Sequence, residues 1–178
     1  MGAVRLAERP AAEGPVVTAL CPRCQTTRRP REVICAYCGF DIRDLVSPRF
    51  DDQVLGALFL GDPEVMEEAA FLLGLRRPPG AGPALERRYR ETGNPFVQRE
   101  IVIAIDQVGG READRVLADA RTHYSVVVRG EALRRLVRRG GQEGEEAAAA
   151  ARADPSPHVR LMAFRPPTSS EILASGGW

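Results

Sequence analysis

A chain of 178 residues and 19.4 kDa has room for one ordinary domain, with or without a small extra module. Its 44% hydrophobic and 28% charged residues exclude disorder over the whole length. A net charge of +1, from 25 basic and 24 acidic residues, argues against a generally basic nucleic-acid or membrane-surface binder.

Residues 1–17 are predicted to be a flexible N-terminus, the first 15 being rich in Ala, Glu, Gly and Pro. Met1–Pro10 contains no apolar signal core, and Leu6 does not fit a myristoylation pattern. No apolar run approaches the roughly 20 residues of a membrane helix. The expectation is a cytoplasmic protein without membrane insertion. Every basic residue is Arg, which fits a GC-rich genome and leaves no lysine for a Schiff base or a phosphate loop.

The region 18–46 holds all four cysteines, as Cys21-Pro-Arg-Cys24 and Cys35-Ala-Tyr-Cys38 with ten residues between the pairs. Two residues between thiols let one tight turn present both sulfurs to the same point. A ten-residue spacer suits two short strands that bring the second turn opposite the first. Four thiolates then close a tetrahedron around one metal ion. Gly39 follows the second pair, where such a turn needs positive φ. Gln25 stands there after the first pair, so that turn is expected to be strained or differently shaped. Zinc in a structural role is the expected ion, because no position stays open for water; iron is the chemical alternative. From Cys21 to Leu45, five Arg face only Glu32, Asp41 and Asp44. The Arg28, Arg29 and Arg31 cluster is read as thiolate screening or solvated surface, with nucleic-acid contact as the alternative. The segment resembles the short zinc-ribbon module widespread in bacterial proteins, which is joined to many unrelated domains.

Residues 47–165 repeat. Asn94-Pro95-Phe96-Val97 aligns with Ser125-Val126-Val127-Val128 at an offset of 31, which also puts Gly109-Gly110 on Gly140-Gly141. Asp62-Pro63-Glu64-Val65 lies 32 residues earlier, and Ser156-Pro157-His158-Val159 lies 31 later. Each unit reads as a helical hairpin. Asp62, Asn94 or Ser156 caps a first helix with Pro in its first turn, and the double glycines make the turn. Second helices are expected at 83–92, 112–121 and 143–153. Residues 51–60 read as the second helix of an incomplete leading unit, and 158–164 start a last helix. Such units bury their apolar stripes only by stacking. The period and the Asx-Pro-x-Val starts resemble the HEAT-like repeats associated with phycobilisome lyases. That resemblance implies a protein-binding scaffold, and less often an enzyme. The fold class expected is therefore mainly α: a short α-solenoid of HEAT-like helical hairpins with a small N-terminal β zinc ribbon.

No catalytic constellation stands out. His123 and His158 are far apart, and no Gly-x-Ser-x-Gly or phosphate loop occurs. Arg134, Arg135, Arg138 and Arg139 make a dense basic group that suits an acidic partner or phosphate, or else an ion-paired solvated face. Arg87, Arg88, Arg90, Arg115 and Asp119 fall on second helices, expected to line the concave side and to form a mixed-charge face for a protein. Residues 166–178 are expected to be a flexible tail ending in Trp178, the only Trp, which would dock with Ile172 and Leu173 into another protein. These features point to a non-enzymatic protein–protein interaction adaptor with one structural Zn2+. The alternatives are a nucleic-acid- or ribosome-associated factor and an accessory subunit of an enzyme complex.

Overall fold

The computed structural model describes residues 19–164 apart from residues 30 and 46. Residues 1–17, the tail 166–178 and the proposed Trp178 anchor lie outside the described residues.

The described part is mainly helical. Two antiparallel strands come first, β1 (Ala19–Leu20) and β2 (Thr27–Arg28), with Ala19 opposite Arg28 and Leu20 opposite Thr27. A 3-10 turn (Ile42–Asp44) leads into α1 (Pro48–Ala57). Six helices follow as α2 (Pro63–Arg76), α3 (Ala81–Glu91), α4 (Pro95–Val108), α5 (Gly110–Ala120), α6 (Val126–Arg139) and α7 (Gly141–Ala153), and α8 (Pro157–Met162) closes the series.

The starts of these helices follow from local chemistry. Asp62 accepts hydrogen bonds from the Glu64 and Val65 amides, and Asn94 from Phe96 and Val97, with Pro63 and Pro95 next in line. Ser156 holds the same position before α8 but its hydroxyl makes no capping bond. The leading helix departs from expectation. It begins at Pro48 and not Asp51, because the Ser47 hydroxyl caps the Phe50 amide at 3.3 Å. Likewise α3 starts at Ala81, two residues early, since Pro83 sits in the first turn where no amide partner is needed. The double glycines make both expected turns: Gly109, Gly110, Gly140 and Gly141 all have φ between 65° and 82°, a region L side chains avoid.

First helices α2, α4, α6 and α8 pack side by side in one row, while α3, α5 and α7 lie against them. The first helices approach one another more closely than the second helices do. One apolar cluster runs from Ile42 through Leu58, Leu73, Ile101, Ile105, Leu133 and Leu136 to Ala163. Arg129 and Arg160, each directly after the register valine of its helix (Val128, Val159), tie α6 and α8 to the loops before them. Arg129 donates to the carbonyls of His123 and Tyr124 at 2.5 and 3.2 Å, and Arg160 donates to those of Asp154 and Pro155 at 2.7 and 3.1 Å. At the matching position Gln98 reaches the Tyr89 carbonyl at 3.3 Å.

The tightest approach between first helices is at Gly74, where an added Cβ would lie 2.8 Å from the Ala104 backbone Cα. Gly74→Ala should therefore destabilise the fold by about 1–2 kcal/mol, overpacking outweighing the gain of about 1 kcal/mol in helix propensity. Urea unfolding reads this directly. An increase in stability would mean that α2 and α4 separate without cost.

Candidate metal centre and charged faces

Two turns of the same construction bring the cysteines together. The Cys21 amide donates to the Thr26 carbonyl and the Gln25 amide to the Cys21 carbonyl, both at 2.9 Å. The Cys35 amide to Phe40 and the Gly39 amide to Cys35 repeat this pattern at the same distances. Gln25 adopts φ 58° where Gly39 has 69°. The first turn is therefore not differently shaped; Gln25 enters the left-handed region at a cost of roughly 1–2 kcal/mol.

The four sulfurs all lie within 4.8 Å of one another. Cys21 Sγ is 3.8 Å from Cys38 Sγ, and Cys24 Sγ is 3.8 Å from Cys35 Sγ. A tetrahedron with metal–sulfur bonds of about 2.3 Å has edges of about 3.8 Å, whereas a disulfide needs about 2.05 Å. The donor set therefore fits one metal ion, and all four cysteines are free thiols. Their acidities differ widely. The Thr26 hydroxyl and amide lower the Cys24 thiol to about 6. The amide of Phe40 pulls Cys38 down, but desolvation and the other three sulfurs outweigh it and push Cys38 up to about 12. Thiols this close cannot all ionise unaided; a bound cation removes the obstacle. Four thiolates leave no open coordination position, so the chemistry such an ion supplies is structural.

The arginines around this centre turn to the helices. Arg28 is buried and pairs with Glu68 of α2 at 2.9 Å. Arg31 pairs with Glu67 of α2 at 3.4 Å and Glu100 of α4 at 3.0 Å, and its amide donates to Glu68 at 2.9 Å. From the other side Arg76 of α2 donates to the carbonyls of Ile42 and Leu45 at 2.7 and 2.6 Å. Ile42 itself joins the helical core.

Only half of the second basic group lies on the surface. Arg134 and Arg135 are 3% and 6% exposed, each 2.8 Å from the fully buried Glu131. The reason is helical spacing: Glu131 lies three and four residues earlier on the same face. Arg139 pairs with Asp106 and Asp114, both at 2.8 Å, and Arg138 is exposed. Glu68, Glu100 and Glu131 occupy one register position in successive repeats, three residues after Val65, Val97 and Val128. The repeat alignment would have brought them into one row, yet sequence reasoning passed over them because a glutamate carries no mark of burial.

On the second helices the structure divides the expected face. Arg87, Arg90 and Arg115 border an open groove of about 660 Å³ between α3 and α5, together with Glu86, Glu91 and Glu112. Glu86 accepts from Arg90 at 2.6 Å and from two nitrogens of Arg115 at 2.8 and 2.6 Å, and Arg115 holds its carboxyl below the usual range. Arg87 stacks on Phe59 with its guanidinium 5.0 Å from the ring centre. Arg88 instead turns to Met66 of α2, with 2.7 Å between Nη2 and the sulfur. Asp119 accepts from the Tyr89 hydroxyl at 2.9 Å. His123 Nδ1 accepts from the Ser125 amide at 3.1 Å, and His158 is exposed in the first turn of α8.

No protein-family model matches the chain, and the search of curated proteins returned no match. Among the described residues no helix is long and apolar enough to cross a membrane.

Proposed function

We propose that this protein is a cytoplasmic protein–protein interaction adaptor: a short array of HEAT-like hairpins headed by a structural zinc module. The observation that carries the reading is the open groove between α3 and α5, where three exposed guanidiniums stand among three carboxylates. Charges of both signs on one exposed face suit a complementary protein surface and give a uniformly charged polyanion no net attraction. The nucleic-acid alternative has less to rest on, because Arg28, Arg134 and Arg135 are buried in ion pairs, whereas the ion-paired arginines of the groove keep half or more of their side chains exposed. Zinc is the ion that best suits four thiolates with no fifth group nearby.

The test is affinity capture from native lysate with and without nuclease, using the wild-type chain and the variant Arg87→Glu/Arg90→Glu/Arg115→Glu. A stoichiometric protein that survives nuclease, and whose recovery falls at least tenfold with the variant, supports the adaptor. Partners that vanish with nuclease, or that ignore the substitutions, sink it.

A further inference from the structure

The ten residues between the two cysteine pairs form a finger with both ends tied to the metal centre. Its tip carries Arg28 and Arg31. Arg28 folds back on the Glu32 carbonyl at 3.1 Å while its other nitrogen reaches Glu68. Arg31 is in the left-handed region, with φ 62°, which turns its amide onto Glu68 and its side chain toward Glu100. Glu100 is 3% exposed, so these contacts form only with the finger in one conformation. Besides the metal, that conformation is held by Val33, which packs at the edge of the core and accepts from the Ile42 amide at 2.9 Å, and by short strand pairing. The strands β1 and β2 have two residues each, and the rest of the pairing is a single bridge between Ile34 and Asp41. Pairs of that length do not persist alone, and partly buried ion pairs without preorganised partners contribute little net stability. Residues 42–45 differ, because Arg76 and the apolar core hold them independently of the cysteines.

We propose that metal occupancy of the four-cysteine centre and docking of residues 25–34 on the acidic face of α2 and α4 form one coupled equilibrium. Metal loss releases the segment 21–41 about a hinge at residues 41–42 and uncovers Glu67, Glu68 and Glu100. That face then offers three carboxylates suited to guanidinium groups. The coupling rests on the metal reading above, and it is reciprocal: whatever weakens docking must weaken metal binding by the same factor.

The experiment titrates the full chain with zinc against a chromogenic chelator. Glu68→Gln/Glu100→Gln should weaken zinc binding about tenfold, and Glu145→Gln on exposed α7 should leave it unchanged. Arg28→Gln/Arg31→Gln cuts the side-chain contacts from the finger side, leaving only the Arg31 amide on Glu68, and should also weaken zinc binding, so a folding failure of the first variant does not block the test. In parallel, trypsin should spare the bonds after Arg28 and Arg31 in the zinc-loaded chain. It should cleave them after chelation while the helical circular dichroism persists. One zinc per chain with unaltered affinity in both double variants overturns the coupling, as does equal protection with and without metal. A chain that binds no zinc overturns the metal reading itself.

Discussion

Replacing Cys35 and Cys38 by serine should reduce the metal content from one ion per chain to none and unfold residues 21–41 while leaving the helices formed. Binding of a structural metal by four thiolates is worth roughly 10–16 kcal/mol, far more than two two-residue strands supply. The helices own a separate core, from Leu58 to Ala163, in which the cysteines take no part. The thermal midpoint should still fall, because Arg28 and Arg31 leave Glu68 and Glu100. A tenfold coupling, about 1.4 kcal/mol, corresponds to roughly 3–6 °C for a chain of this size. Metal analysis, circular dichroism and a thermal scan read the three effects. Collapse of the helix signal would show that the cysteine segment is part of the helical core.

Glu131→Ala should be the most damaging single change within the repeats. The carboxylate has no solvent exposure and accepts from Arg134 and Arg135, which are themselves nearly buried. Removing it leaves two guanidiniums inside the protein with one anionic partner fewer. Breaking a buried pair in this way costs about 3–5 kcal/mol. The exposed pair of Arg139 with Asp114 gives the contrast: Asp114→Ala should cost less than about 1 kcal/mol. Chemical denaturation of both variants decides the matter. Equal losses would mean that water reaches Glu131, and that the row Glu68, Glu100, Glu131 is an ordinary solvated face.

Much of the helical layout was legible in the residues because the forces that set it are local. A cap such as Asp62 or Asn94 acts on amides two and three residues ahead. The glycine pairs end helices by their own backbone freedom. The boundaries missed at Pro48 and Ala81 also have local causes, a serine cap and a proline in the first turn, and α5 and α7 likewise start two residues earlier than expected, at Gly110 and Gly141. The four cysteines announced their site because two short spacings already restrict where the sulfurs can go.

The destinations of the charged side chains were decided only by the tertiary structure. Arg28, Arg134 and Arg135 look no different in sequence from Arg87, Arg90 and Arg115, and all six are ion-paired, yet the first three are buried on the first-helix row and the last three stay exposed beside an open groove. A guanidinium has no hydrophobic periodicity to mark its side of a helix, and its partner need not be near in the chain. Arg31 and Glu100 are 69 residues apart. Helices, turns and the cysteine cluster follow from neighbours a few residues away, and the sequence by itself determines them. Which charges are buried and which stay exposed depends on where packing places carboxylates about 31 residues apart, and only the packed chain brings those groups within reach.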